Sequence, residues 1–426
     1  MRKLCTKLWA ISILLLSLSG HSLGQTTWVK QVSPATEDLS SIFFLDTETG
    51  WSVGESGGVI LKTTDGGKSW TQIAFNQSSG YYDIYFADKD RGWAVGSMCI
   101  ENGCYGIIIY SGDGGASWTE KEIVKDIYFL SIFFVNNNTG WATTGPFGTV
   151  YKTTDGGMNW TAQETGRETD FYDCHFFDNN TGLVAGRDGL IMRTTDGGEN
   201  WTQKSLGLAD SFNGLHFVNK NLGWAAGTKL LEGEAVLAST SNGGLSWSIK
   251  TIVEGNVGFN DVKFIDENRG WIVGESVEDA VVYYSMDGGK NLEPQSHNAS
   301  INNFKALDVI DARNAWISGD EGNILRLRPD PTLGTGDAIA SRRMFGQIYP
   351  NPGSGLVNVP FNLSADGHAS LLIYDLSGKI AAHVLDEYLP AGKHTQQVNI
   401  ENLTDGIYLF KIQSKGFSET QKLVVY

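Results

Sequence analysis

The sequence predicts an all-β protein in two parts, a seven-bladed β-propeller followed by a small Ig-like β-sandwich. Three observations carry that prediction. A Gly-Trp-x-x-Gly fragment returns seven times between residues 40 and 328, at spacings of 41 to 48 residues. A glycine turn signature ending in Trp follows most copies. The composition, with 52 Gly, 9 Pro and only 19% charged residues, suits many short strands joined by glycine turns better than disorder or collagen.

The chain opens with an export pattern. Arg2, Lys3 and Lys7 precede an apolar run from Leu8 to Leu18, and the small residues Ser22 and Gly24 stand at the −3 and −1 positions before Gln25. Residues 1–24 therefore read as a signal peptide, too short to span a bilayer. No other segment is long and apolar enough to cross one, so no transmembrane segment is expected in the mature chain. The expected route is export through Sec.

Charge is unevenly distributed. The chain has 32 Lys and Arg against 48 Asp and Glu, a net −16, while residues 25–339 alone hold 22 against 41, a net −19. A surface this acidic repels phosphate backbones, which argues against nucleic-acid binding.

Residues 25–330 form the propeller. The Gly-Trp strand recurs around Trp51, Trp93, Trp141, Leu183, Trp224, Trp271 and Trp316. Each copy follows a strand-like stretch such as residues 131–135 and precedes a glycine turn and a further strand such as residues 149–153. The turn signature comes next: Asp65 to Trp70, Asp113 to Trp118, Asp155 to Trp160, Asp196 to Trp201, Asn242 to Trp247 and, without its Trp, Asp287 to Leu292. Four strands per repeat, arranged around a ring, make a propeller blade. The seventh copy lacks the signature, whereas Thr27-Trp28-Val29-Lys30-Gln31 resembles Ser69-Trp70-Thr71-Gln72. The N-terminal strand is thus expected to close the last blade.

The S/T-x-D-x-G-x-x-W signature resembles the Asp-box of bacterial neuraminidase repeats, sortilin-type receptors and related propellers. Its role is read as structural: the Asp accepts turn amides, the glycines take positive φ and the Trp is buried against the sheet. Seven such blades with Gly-Trp-x-x-Gly strands resemble the photosystem II stability and assembly factor family of cyanobacteria and plastids. That resemblance implies a non-enzymatic assembly or binding role. The family's arginine-rich surface, however, is replaced here by an acidic one.

Residues 331–343, with Pro331, Gly334 and Gly336, read as a linker. Residues 344–426 then carry Ile348-Tyr349-Pro350-Asn351-Pro352, Leu372 to Lys379 and Leu403 to Ile412. These three ordered motifs resemble the type A sorting domain of Bacteroidota type IX secretion. The resemblance implies a partner, the type IX machinery, and delivery to the outer cell surface or the medium. About seven short alternating strands are expected there.

Candidate binding residues come from the loops between the second and third strands of each blade, on the face where propeller ligands usually bind. Glu55, Asp188, Glu275, Glu278, Asp279, Asp320 and Glu321 make a candidate acidic rim for a basic partner, with Ca²⁺ as a further candidate. The partner is expected to be an envelope protein or a surface glycan. No cofactor, metal site or catalytic residue is assigned. The competing reading is a secreted glycan-acting hydrolase, sialidase-like or another glycosidase, with an atypical site. Against it, Arg91, Arg269 and Arg313 are expected on the opposite face, leaving mainly Arg167 and Arg187 near the rim.

One inner-strand column reads Phe43, Tyr85, Phe133, His175, His216, Lys263 and Asp308. Its polar half reads either as inter-blade hydrogen bonding or as a ligand patch around His175 and His216. Cys99 and Cys104 are expected to form a hairpin disulfide, and Cys174 to be a buried thiol.

Overall fold

The computed structural model describes residues 26–74, 78–204, 209–229, 232–329, 348, 355–363, 367–375, 379–390, 392–404, 406–414 and 417–425. The signal peptide and linker assignments, and all of Tyr349-Pro350-Asn351-Pro352, lie outside them. All regular structure among the described residues is strand. The chain divides into two units, residues 1–330 and 331–426.

The first unit contains seven four-stranded antiparallel sheets. Six blades are consecutive: residues 39–74, 79–125, 128–164, 171–203, 211–253 and 257–294. The seventh takes three strands from residues 304–329, and its outer strand is Thr26–Lys30. Register makes the N-terminal strand equivalent to the others. Lys62 pairs with both Trp51 and Thr71, while Arg326 pairs with both Trp316 and Val29. Trp28 therefore occupies the place of the Asp-box Trp70, and it is fully buried.

The repeated residues explain how neighbouring blades adhere. Of the six second-strand Trp residues, Trp271 tilts against Tyr284 of its own blade and each of the other five lies flat on the inner-strand Phe of the next blade, as do Trp51 on Phe86 at 3.6 Å between centroids, Trp141 on Phe176 at 3.6 Å and Trp224 on Phe264 at 3.7 Å. The same indole donates Nε1–H to a carbonyl of that blade's Asp-box, as Trp51 does to Gly114 at 3.1 Å. The Asp-box Trp meets the Phe edge-on, with Phe86 and Trp118 at 84°. The glycine before Trp51, Trp93, Trp141, Trp224 and Trp271 leaves room for the inner-strand Phe of its own blade. A Cβ on Gly140 would lie 2.6 Å from the Phe134 ring.

The Asp-boxes are closed hydrogen-bonded turns. Asp65 Oδ1 accepts from the Ser69 amide at 2.9 Å and Oδ2 from the Ser69 hydroxyl at 2.6 Å, while Thr63 Oγ1 accepts from the Gly67 amide. Asp113, Asp155, Asp196 and Asp287 repeat the pattern. Asn242 keeps the amide bond and reverses the other, donating Nδ2–H to Ser246 Oγ at 2.8 Å. Trp70, Trp118, Trp160 and Trp247 are buried and Trp201 is half-buried.

In the second unit, strands Leu356–Leu363 and Gly392–Asn399 form one sheet and the other four strands a second. Val359, Phe361, Leu371, Ile373, Phe410, Ile412 and Leu423 share the core between them. Six strands are present among the described residues of this unit, where about seven were expected for residues 344–426. The strands are longer than the sequence reading supposed, up to 10 residues.

Candidate functional site

The four-strand path sorts the loops onto two faces. Asp-boxes share one face with the first turns of the blades, tied by bonds such as Gly66 N–H to the Glu48 carbonyl. The second-to-third strand loops share the far face with the inter-blade loops, tied by bonds such as Arg187 N–H to the Asp170 carbonyl. Arg91 and Arg269 lie on the Asp-box face, paired with Asp88 and Asp266.

On the far face the predicted rim residues divide into distinct groups. Glu55 and Asp320 are drawn together by Lys305, whose Nζ lies 2.7 Å from Glu55, 3.3 Å from Asp320 and 3.4 Å from Asp38. These carboxylates hold the Lys305 charge, and its ammonium is correspondingly stabilised above its usual range despite burial. Glu321 follows at φ +56°, its amide donating to Asp38 Oδ1 at 2.9 Å. Glu278 and Asp279 sit in an exposed turn closed on Ser276 Oγ. Glu275 is exposed beside them. With half-buried Glu37 and Asp38, these residues put eight carboxylates on the far face of blades 6, 7 and 1, three of them around Lys305.

Asp188 stands apart. It is a left-handed turn residue at φ +57° on blade 4, next to Arg187. Arg187 pairs with the buried carboxylate of Asp170 at 2.9 Å, and Asp170 also lies 3.4 Å from the Tyr128 hydroxyl. Exposed Phe147 and Arg167 and half-buried Tyr128 and Tyr172 complete that region. The far face is thus polarised, acidic over blades 6, 7 and 1, aromatic and arginine-bearing over blades 3 and 4.

The central channel carries the inner-strand column. His216 Nδ1 accepts from the Phe264 amide at 3.1 Å and Asp308 Oδ2 from the Phe44 amide at 2.6 Å, each bridging to the next blade. His175 lies between Phe133 and Phe217 rings at 4.9 and 5.1 Å. Burial holds it neutral, with its pKa lowered to about 3, and burial likewise holds His216 well below the usual histidine range. Burial raises Asp308 to about 6.

A second column, missed in the sequence, stands two residues earlier: Ser41, Asp83, Ser131, Asp173, Gly214, Asp261 and Ala306. A one-residue bulge precedes each of these positions. The alternation that gave the first column also gives this one, because residues i and i+2 share a face. Asp83 accepts from the Ile132 amide, Asp173 from Leu215 and Asp261 from Leu307, each in the following blade.

No group of three or more His, Cys, Asp or Glu side chains placed to hold a metal ion occurs among the described residues. Cys99 and Cys104 are disulfide-bonded across a hairpin tip, and Cys174 is a buried thiol. No helix among the described residues is long and apolar enough to cross a membrane.

Comparison with known proteins agrees with this architecture. Residues 69–165 and 158–252 match the family Photosynthesis system II assembly factor YCF48, and residues 347–426 match the Secretion system C-terminal sorting domain. A search of curated proteins returned no match. A solved structure described as YCF48 bound to D1 peptide is similar at 20% identity and a TM-score of 0.56, over 71% of this chain and 97% of that one. YCF48 from Cyanidioschyzon merolae is similar at 19% and 0.55, over 71% and 99%. Virginiamycin B lyase from Staphylococcus aureus is similar at 13% and 0.54, over 70% and 97%. At such identities the structural likeness shows the propeller fold alone. The chain is an Asp-box propeller resembling the photosystem II assembly factors, joined to a secretion-system sorting domain that directs its export to the cell surface or beyond.

Proposed function

We propose that the chain is a non-enzymatic binding module whose far face takes a basic segment of a protein partner at the cell envelope. The observation that carries this reading is the acidic arc of blades 6, 7 and 1. Lys305 offsets one charge of the Asp38, Glu55 and Asp320 cluster, while Glu275, Glu278 and Glu321 remain exposed. Closely spaced carboxylates on one face attract cations and steer a basic partner into register.

A polypeptide is the first partner class to test, because the similar YCF48 structure is described as bound to a peptide. Glycan hydrolysis finds less support. The buried carboxylate of the far face, Asp170, is held by Arg187 and Tyr128, so it is not free to act as the paired acid that glycosidases use. By the resemblance of the tail, the second partner is the type IX secretion machinery. Ca²⁺ at the arc is a further proposal, tested by adding Ca²⁺ to the same binding assay.

The test is binding of the full chain to an array of Lys- and Arg-rich peptides at low and moderate salt, with acidic peptides and polysaccharides as controls. Binding confined to basic peptides and abolished in Glu275→Gln/Glu278→Gln/Asp279→Asn supports the reading. Retention of polysaccharide alone, with release of reducing ends, supports the hydrolase instead.

A further inference from the structure

The inner seam of blades 2, 3 and 4 contains one hydroxyl between two carboxyl groups. Ser131 Oγ lies 3.1 Å from Asp83 Oδ2 and 3.1 Å from Asp173 Oδ1. Ser131 is buried, and both Asp side chains face the channel. A serine hydroxyl has one hydrogen to donate, so it satisfies one carboxylate. The other oxygen-to-oxygen approach needs a second hydrogen.

The donor count shows where that hydrogen resides. Asp83 accepts four donors: Ser41 Oγ at 2.7 Å, the Ile84 and Ile132 amides at 2.8 Å, and Ser131. That set fits a carboxylate. Asp173 accepts only two amides, Cys174 on Oδ1 and Leu215 on Oδ2, both at 2.7 Å, which leaves the Ser131 side of Oδ1 as the position for a proton. We infer that Asp173 is a carboxylic acid at neutral pH, donating to Ser131 Oγ, which in turn donates to Asp83, so that one trapped proton fastens blades 2, 3 and 4.

The surroundings favour one proton more than one further charge. The channel also receives Asp261 and Lys263 from blade 6, Asp308 from blade 7, His216 from blade 5, and Tyr85 and His175 from blades 2 and 4, while the Cys174 thiol packs in the apolar seam, 4.0 Å from Ser131 Oγ. Lys263 is the one cation that the four carboxyl groups share, 3.5 Å from Asp261. Full ionisation would leave a threefold negative excess beside Phe43, Phe133 and Tyr85, which low-dielectric surroundings penalise. Burial and the neighbouring Asp261 and Asp83 charges raise the Asp173 carboxyl to about 7.

The inference predicts an asymmetry between two identical substitutions. In Asp173→Asn the new amide nitrogen supplies the hydrogen that the acid would have donated and gives up only the bond from the Cys174 amide, so the melting temperature at pH 7 falls less than in Asp83→Asn. In Asp83→Asn a four-donor acceptor loses its charge, and the melting temperature falls by several degrees. Infrared difference spectra of the full wild-type chain between pH 5 and pH 9 provide a readout independent of folding yield. A protonated carboxyl band that is present at neutral pH, lost towards pH 9 and absent from Asp173→Asn supports the inference. Equal damage from both substitutions, or no Asp173-dependent band, overturns it.

Discussion

The Trp316 indole lies flat on the Phe44 ring, 3.5 Å between centroids and 8° from parallel, and donates Nε1–H to the Gly66 carbonyl at 3.1 Å. These two side chains join the last blade to the first, through the same contact that joins the blades within the chain. The ring therefore closes twice, once through this stack and once through the N-terminal strand on residues 324–329.

Truncating the stack should be as damaging at the closure as elsewhere. Trp316→Ala and Trp224→Ala each remove a fully buried indole and leave a cavity under a Phe ring, at a cost of about 3–5 kcal/mol. Chemical denaturation of each variant checks this. A loss for Trp316→Ala below about 1 kcal/mol would mean the closing seam carries no strain-bearing share of the packing.

Trp28 tests the other closure. It is fully buried, bonds to Gln295 Oε1 through Nε1 at 2.8 Å and pairs with Leu327. Trp28→Ala should lower stability by a similar amount and raise amide hydrogen exchange selectively in residues 304–329. Uniform exchange across all blades would argue that the N-terminal strand is dispensable.

The Asp-boxes give an acid limb to stability. Hydroxyl and amide donors from Ser69 hold Asp65 at about 2, and those from Asn159 and Asn200 do the same for Asp155 and Asp196. Because these folded-state values lie below the ordinary 3.8, their contribution is present above about pH 4 and is lost as pH falls towards 2. Asp65→Asn should flatten that limb slightly while keeping the turn, as Asn242 does naturally. Asp65→Ala should cost about 1 kcal/mol, as the loss of a capping acceptor does elsewhere. Thermal melts between pH 2 and 5 separate the two.

The channel supplies two opposed slopes. His175, lowered from 6.5 to about 3, refuses a proton that the unfolded chain accepts, so its contribution falls as pH drops below about 6.5. Asp173 and Asp308, raised from 3.8 to about 7 and about 6, contribute at low pH and lose that contribution as pH rises through those values. The two effects offset one another between about pH 4 and 6. His175→Phe, which suits its place between Phe133 and Phe217, should make stability rise on acidification, whereas Asp173→Asn should steepen its fall. Parallel pH profiles for both variants would contradict the assignment.

The parts legible in the sequence are those set by short-range repetition. Asp65 and Trp70 lie five residues apart, and their turn is specified by the residues between them. The closing role of Trp28 was readable because its neighbours copy those of Trp70. The Lys305 clasp was not readable, because Glu55 and Lys305 are 250 residues apart in sequence and meet only when the ring closes. The Asp83 column was hidden for a different reason. Its aspartates stand in three of seven blades, with Ser, Gly or Ala in the others, so the acidic positions form no repeat.

The central claim, an acidic binding face, is tested most directly by the affinity of the full chain for a basic peptide selected on the array. It would be measured at low and moderate salt for wild type and for Glu275→Gln/Glu278→Gln/Asp279→Asn. The account predicts affinity that weakens with salt and falls at least tenfold in the variant, with the melting temperature unchanged. Equal affinity in both proteins, or none that salt alters, would contradict it.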